Sequence, residues 1–397
     1  MKKYLYIKKP FVTVIVIIII AISIFYLKSQ KGNINSPTLN QMPIKEKSAL
    51  KTSNEITNIQ STQKIEDKPK KDNLQPTIEN SKIEKEKASK YPKAPDFAGI
   101  ERWINSEPLS MEQLKGKVVL VDFWTYTCIN CIRTLPYLKE WDEKYKEKGL
   151  VIVGVHTPEF EFEKKYENVL DAVGQYQLKY PVAQDNLYAT WSAYKNRYWP
   201  REFLIDIDGY IRHDHIGEGS YDETEKIIQE LLKERMERIN KNDTINASIT
   251  ANNQTYFRPL EIGTPEIYFG YKFSRGNFGN SQGLKPEQIV DYKTPSSITE
   301  NNAYLSGKWK NNADNMELAQ DVGDITLKFS AKVVNIVAGS QNSSQALVHL
   351  DDIFINNEST IKEFKLYNVV NSQNYGTHTV NIKIKGKGFK IFTFTFG

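Results

Sequence analysis

Three kinds of hydrophobic pattern follow one another along the chain. Positions 11–27, FVTVIVIIIIAISIFYL, are an apolar run without a charge. As a helix those 17 residues would be about 26 Å long, just enough for a bilayer core. From 117 to 239 the apolar residues come in short blocks separated by helical spacing. KVVLVDFW, 117–124, reads as a buried strand. Leu135, Leu138, Trp141 and Tyr145 then recur at helical intervals, with Gly149 as the stop. LVIVGVH, 150–156, is a second buried strand, so strand, helix and strand predict a parallel pair with a right-handed crossover. Positions 157–195 read as helix and loop. Phe203, Ile205 and Ile207 alternate, Asp208-Gly209 turns, and Ile211 resumes, which predicts a hairpin. DETEKIIQELLKERMERI predicts a closing amphipathic helix with acids in its first turn. From Tyr256 onward the period falls to two, as in Ile325, Leu327 and Phe329 or Phe392, Phe394 and Phe396, with Gly and Asn clusters between the runs. That pattern predicts an all-β sandwich, jelly-roll-like, of about 140 residues.

Polar stretches set the boundaries. Residues 28–93 are rich in Lys, Asn, Ser, Thr and Glu, and Tyr91 is their only aromatic residue. Such a segment cannot bury enough apolar surface to offset its ordering entropy, so a disordered stalk is expected, about 45 Å long on average. Residues 240–254 read as a polar linker. The expected organisation is a cytoplasmic N-terminus (1–10), a single transmembrane helix (11–27), the stalk (28–93), an α/β domain (94–239), the linker, and the β domain (255–397).

Charge refines this picture. The chain of 397 residues has a net charge of +5, but residues 1–93 carry 18 Lys against 8 acidic residues, and the remainder is net acidic. The positive balance belongs to the anchor and its tether. It removes the main electrostatic argument for nucleic-acid binding. Four lysines precede the apolar run, which places the N-terminus in the cytoplasm and the rest of the chain outside it. A cleaved signal would want a shorter core and a small-x-small site, which IFYLKSQ does not offer. An uncleaved anchor in the cell membrane is therefore favoured.

The only two cysteines are Cys128 and Cys131, in FWTYTCINCIRTLP. A zinc site wants four ligands, and one C-x-x-C could find them only with His213 and His215, at an unusual spacing. Haem attachment needs His after the second Cys, where Ile132 stands. A structural disulfide across so short a loop adds little stability. A redox dithiol remains, and it calls for no metal and no cofactor. The motif follows a buried strand and opens a helix, whose N-terminal N–H groups favour a thiolate at the first cysteine. Cys128 is then the exposed nucleophile, and Cys131, one turn in, resolves the mixed disulfide.

VLVDFWTYTCINCIRTLP resembles the active-site strand and helix of thioredoxins. APDF, LKGKVVLVDFW and FLIDIDGYI resemble the membrane-tethered TlpA/ResA branch. FWTYTCINCIRTLPYL, VGVHTPEFEFE and NRYWPREFLID are most similar to the thioredoxin-like part of DipZ-type proteins, which also carry a β-rich, carbohydrate-binding-like module. The resemblance covers about residues 94–397. It implies a thioredoxin fold and a membrane-anchored, extracytoplasmic thiol–disulfide oxidoreductase that reduces disulfides of envelope proteins. It further implies that Pro200 is a cis-proline facing the dithiol and that Trp199 and Trp124 fall at the substrate groove, although both also suit core packing, Trp124 the more so. Asp122, an acid inside an apolar strand, is a candidate relay for the proton of Cys131, its alternative being an acid satisfied by backbone. A CcdA-like membrane protein would return the electrons, because the multi-pass domain of DipZ-type proteins is absent from this sequence. Glu159 and His156 follow a strand end near the expected dithiol face, where plain surface positions suit them as well. Thr125 fits a T-x-x-C pattern, but Val121 stands where peroxidases want Pro. In the β domain, Trp309 and the aromatics of EIYFGYKFSRGNF could stack on an envelope glycan, although strand spacing favours the core. Two rival readings are a glycan- or protein-binding protein with a vestigial dithiol, and a dithiol oxidase.

Overall fold

A computed structural model describes residues 78–240, 244–245, 248–250, 262–355 and 359–397, all within one compact unit. The expected anchor and the stalk up to residue 77 lie outside the described residues. No described helix is long and apolar enough to cross a membrane.

The first departure from expectation comes at once. Residues assigned to the stalk form helix α1, Ile78–Lys90. Its composition is polar, and charge rather than apolar burial holds it. The Lys87 ammonium lies 2.9 Å from Asp206 and 2.6 Å from Asp208, and it also pairs with Glu234. Arg212 and Arg238 complete the network around the same acids. Order therefore begins before Ala94. The next residues join the hairpin, with Ile211 N–H donating to Pro92 O and Ala94 N–H to Gly209 O.

The α/β domain is built on strands β1 (Arg102–Ile104), β2 (Val118–Trp124), β3 (Leu150–His156), β4 (Val182–Gln184), β5 (Arg201–Ile205) and β6 (Ile211–Ile216). They form one sheet in the order β1-β4-β3-β2-β5-β6. β2 runs parallel to β3, as the strand–helix–strand pattern predicts, and antiparallel to β5. Every residue of β2 is buried, because both faces of the sheet are covered. Helices α2 (Ile129–Tyr145) and α5 (Tyr221–Arg238) pack Leu138, Trp141, Leu231 and Leu232 over one face, onto Leu120 and Leu204. The other face buries Val119, Val121, Phe123 and Phe203 against Leu114 and Tyr194. Each such side chain contributes about 1.5–3 kcal/mol. α2 is followed by a short 3-10 turn and by Gly149, which adopts φ 105° in the left-handed region. Helices α3 (Tyr166–Gln175) and α4 (Ala189–Ala193) flank β4.

In the C-terminal domain the described strands are β7 (Ile267–Tyr268), β8 (Ile289–Tyr292), β9 (Ala303–Asn311), β10 (Met316–Leu318), β11 (Val322–Ser340), β12 (Ser344–Leu350), β13 (Ile353–Phe354), β14 (Ser359–Ile361), β15 (Lys365–Lys385) and β16 (Phe389–Phe396). The β-rich character is as expected, but the layering is not that of two separately bonded sheets. All ten strands hydrogen-bond into one sheet. β11 is 19 residues long, pairing with β9 along its first half and β16 along its second. β10 bridges β16 and β9, so the path closes on itself. Two irregularities in the β11–β15 ladder, after Ala331 and Val334, are bulges of the kind that let a long strand bend from one layer into the next.

The two domains share a core. Tyr268, Val337 and Phe392 of the β domain are buried in the same cluster as Cys131 and Trp141. Phe392 packs on Phe162 with ring centroids 4.7 Å apart. Part of the expected linker is also attached, since Thr250 N–H donates to the Glu225 carboxylate at 2.6 Å.

Candidate active site

Cys128 is the N-cap of α2. It has extended backbone angles, and its Sγ accepts the Cys131 N–H at 3.3 Å. The first turn of the helix carries no carboxylate that would oppose a thiolate there. Cys128 is half-buried, whereas Cys131, one turn further in, is 1% exposed. Burial pushes the Cys131 thiol well above its ordinary value, and the neighbouring Cys128 and the Asp122 charge add to the shift. An outer sulfur at a helix N-terminus and an inner one held protonated is the asymmetry that a two-step exchange needs.

The loop before Cys128 is held from below. Glu163 is fully buried in a short 3-10 turn, Glu161–Lys164. One of its oxygens accepts the Thr127 hydroxyl, and the other accepts the backbone N–H of Glu159 at 2.6 Å and of Phe160 at 2.9 Å. Thr125 is also buried, with its hydroxyl 3.3 Å from His156 Nε2. His156 is not a surface residue: burial drives its pKa down to about 3, so it is a neutral packing group stacked on Tyr126. Glu159 is half-buried and accepts the Tyr268 hydroxyl at 2.7 Å, tying the site loop to the β domain. Burial, with Glu163 and Glu266 nearby, raises its pKa to about 8.

Behind Cys131 lies Asp122, 1% exposed, with no hydrogen-bond partner on Oδ1. Burial pushes its pKa up to about 8. Trp124 is fully buried and makes an edge contact with His156, so it is part of the core and cannot touch a substrate. That corrects its assignment to the groove. The Trp199–Pro200 peptide bond is cis. The Pro200 carbonyl accepts Gly217 N–H at 2.9 Å, so it is not free to pair with a peptide. Trp199 is half-buried, donates its indole N–H to Thr157 O at 3.1 Å, and packs on Trp191 at 4.3 Å between ring centroids. Tyr198, half exposed, stands beside it.

Comparison with known proteins completes the picture. Residues 91–232 match the Redoxin family model, and 264–397 match the model of a thioredoxin-like C-terminal domain. The chain is 36% identical over 314 residues to protein DipZ of Mycobacterium bovis, which covers 77% of this chain and 43% of DipZ. It is 34% identical over 148 residues to the thiol-disulfide oxidoreductase ResA of Bacillus cereus, covering 37% of this chain and 82% of ResA. The chain belongs to the ResA family of thiol-disulfide oxidoreductases. It spans less than half the length of DipZ. Among solved structures, a thioredoxin-like protein in its oxidized form is 28% identical, with a TM-score of 0.34, covering 36% of this chain and 97% of that one.

For a ResA-family chain the site holds one residue that sequence reasoning missed. Glu202 is 2% exposed, sits directly across from Asp122 on β5, and has an oxygen without a partner. Burial and the Asp122 charge raise its pKa well above the ordinary value. The signal was an acid two residues beyond Pro200 inside an apolar strand. Other candidates separate. Trp309 is fully buried, with its indole N–H on Ser306 O at 2.9 Å, and Tyr268 and Phe269 are core residues, so none of the three offers a sugar platform. Among the described residues, the group of close metal-type donors is Asp206, Asp208 and Glu234, which Lys87 already occupies. It includes neither the cysteines nor His213 and His215.

Proposed function

We propose that this chain is a membrane-anchored, extracytoplasmic thiol–disulfide oxidoreductase that reduces disulfides of envelope proteins through Cys128 and Cys131. The observation that carries the reading is the asymmetric dithiol: a half-buried Cys128 sulfur on a helix N-cap, and a buried Cys131 backed by Asp122. The Cys128 thiolate attacks one sulfur of the substrate disulfide. A mixed disulfide forms, and the other substrate sulfur leaves as a thiolate. Asp122 in its ionised form takes the Cys131 proton, and the Cys131 thiolate attacks the Cys128 sulfur. The second substrate thiolate is released, and a Cys128–Cys131 disulfide is left. The substrate gains two electrons and the dithiol loses two.

The backbone N–H and carbonyl of Trp199 make no hydrogen bond among the described residues, which supports an extended substrate segment pairing there, beside the cis bond. The electrons are returned by a CcdA-like membrane partner, and the apolar run at 11–27 holds the site on the outer side of the membrane. With Trp309, Tyr268 and Phe269 in the core, a glycan ligand would meet the β domain through the half-buried Tyr271 or elsewhere on its surface.

The test is insulin reduction by the full-length chain in detergent against Cys128→Ser. Turnover should fall to background in the variant; equal rates would overturn the enzymatic reading. Direction is tested by the reduction potential against glutathione. A value near roughly −120 mV, as for a strong oxidant, would make the protein an oxidase instead.

A further inference from the structure

A buried thiol that resolves a mixed disulfide must shed its proton, and that proton must reach water. Neither Cys131 nor Asp122 has more than 1% of its surface exposed. The sheet register supplies a way out. Asp122 on β2 pairs with Glu202 on β5, and Glu202 pairs with His215 on β6. Directly opposed residues of antiparallel strands place their Cβ atoms about 4.5–5.5 Å apart on the same face. The three side chains therefore form one row across the sheet. β6 is its end strand, and His215 is half-buried where Glu202 is closed off. On the other side of Asp122 the row stops at Gly154 of β3. A Cβ there would lie 3.0 Å from Trp124 Nε1 and 3.2 Å from Tyr180, so two rings seal that end.

The polar atoms of the row are unsatisfied in a telling way. Asp122 Oδ1, Glu202 Oε2 and His215 Nε2 are all buried without a hydrogen-bond partner. Neither acid makes an ion pair among the described residues. Burying acceptors without donors costs about 1–3 kcal/mol each, so a carboxyl row with no cation is retained against stability. A proton held between two carboxyls turns one of them into a donor and satisfies both. The groups facing the row from the elements above it are Cys131 on α2, the Tyr180 hydroxyl before β4, and Tyr221 on α5. His213 lies next in line on β6 and faces Glu223. None of these is a lysine or arginine that would fix the acids as anions.

We propose that Asp122, Glu202 and His215 form a proton conduit from Cys131 to the edge of the sheet, in which Asp122 takes the thiol proton and Glu202 and His215 pass it outward. Glu202 touches neither substrate nor the reacting sulfurs and acts through Asp122 as a positioning and relay residue. The redox balance of the exchange is unchanged; only the path of one proton is assigned. The inference rests on the dithiol reading above, and the test separates the two.

The test is single-turnover kinetics of the full-length chain with a disulfide peptide, following mixed-disulfide formation at Cys128 and its resolution by Cys131 as distinct phases, across pH. Glu202→Gln keeps size and hydrogen bonding but cannot carry a proton. It should leave the first phase unchanged, slow the second roughly tenfold or more, and shift the pH profile of the second phase alone. His215→Gln should slow the second phase less, and added imidazole should restore it. A second phase in Glu202→Gln within twofold of wild type, with the same pH profile, would overturn the conduit. If Glu202→Gln does not fold, His215→Gln at the sheet edge decides: an unshifted profile that imidazole does not change overturns it. Absence of the first phase in the wild type would instead sink the dithiol reading itself.

Discussion

Two clusters of buried acids sit at opposite fates in this molecule. Asp206, Asp208 and Glu234 meet Lys87, Arg212 and Arg238, so every carboxylate has a cation within about hydrogen-bonding distance. Asp122 and Glu202 are buried as deeply as Asp206, yet no cation pairs with them among the described residues. The first cluster spans 147 residues of sequence, from Lys87 to Glu234, and fastens α1 to the hairpin and the closing helix. Lys87 and Arg238 hold Asp208 below the ordinary carboxylate range despite burial. The second cluster fastens nothing. Burial pushes both acids up, Asp122 to about 8, near the range of a thiol, and Glu202 well above its ordinary value. Paired acids build structure here, and unpaired ones are available for chemistry.

The comparison can be broken in stages. The largest effect is expected at Asp122. Asp122→Asn removes the base for Cys131 and should slow resolution of the mixed disulfide by roughly 10²–10⁴-fold. Its folding stability should hold or rise, because a buried ionisable group has been neutralised. Next comes Lys87→Ala. Leaving the acids with one cation fewer should cost about 3 kcal/mol, read by denaturant unfolding, while insulin turnover of the folded protein stays at the wild-type rate. If turnover fell with stability, the two clusters would not be separable in function.

A third effect is the pH dependence of stability. Asp122 titrates near 8 in the fold and near its ordinary value of 3.8 when unfolded. The folded state therefore holds the extra proton between those values. Its contribution is fully present below about pH 4 and is lost as pH rises to 8. Glu159, also raised to about 8, adds a loss of the same sign. Thermal unfolding should move to lower temperature between pH 5 and 8, and Asp122→Asn should flatten that fall. The smallest effect is expected at the domain contact. Tyr126→Phe removes the hydroxyl that donates to Phe364 O at 3.3 Å and should cost about 1 kcal/mol or less, with turnover nearly unchanged.

The two clusters also differ in how far the sequence reveals them. β2, α2, β3 and the β5–β6 hairpin are readable because they are long runs with a clear period, fully buried in the case of VVLVDFW. The cysteine pair is readable because it falls at the junction of such a strand and helix. α1 is hidden, since its apolar content is low and its partners lie more than a hundred residues away. β1 and β4 are hidden because three residues carry no period. Glu202 is hidden for a subtler reason. β5 is buried on both faces, so alternation of Phe203 and Ile205 draws attention to one face and passes over the acid on the other. The resemblance places Trp124 beside the groove, but strand register sets the direction of its side chain, which points into the core. Long-range register, not local pattern, sets all of these.

The most direct measurement is intact-protein mass spectrometry after brief exposure of the single-cysteine variants to a disulfide peptide. Cys131→Ser should accumulate one covalent peptide adduct on Cys128, and Cys128→Ser should accumulate none. Equal trapping in both variants, or trapping only through Cys131, would contradict the assignment of an outer nucleophile and an inner, acid-backed resolving thiol.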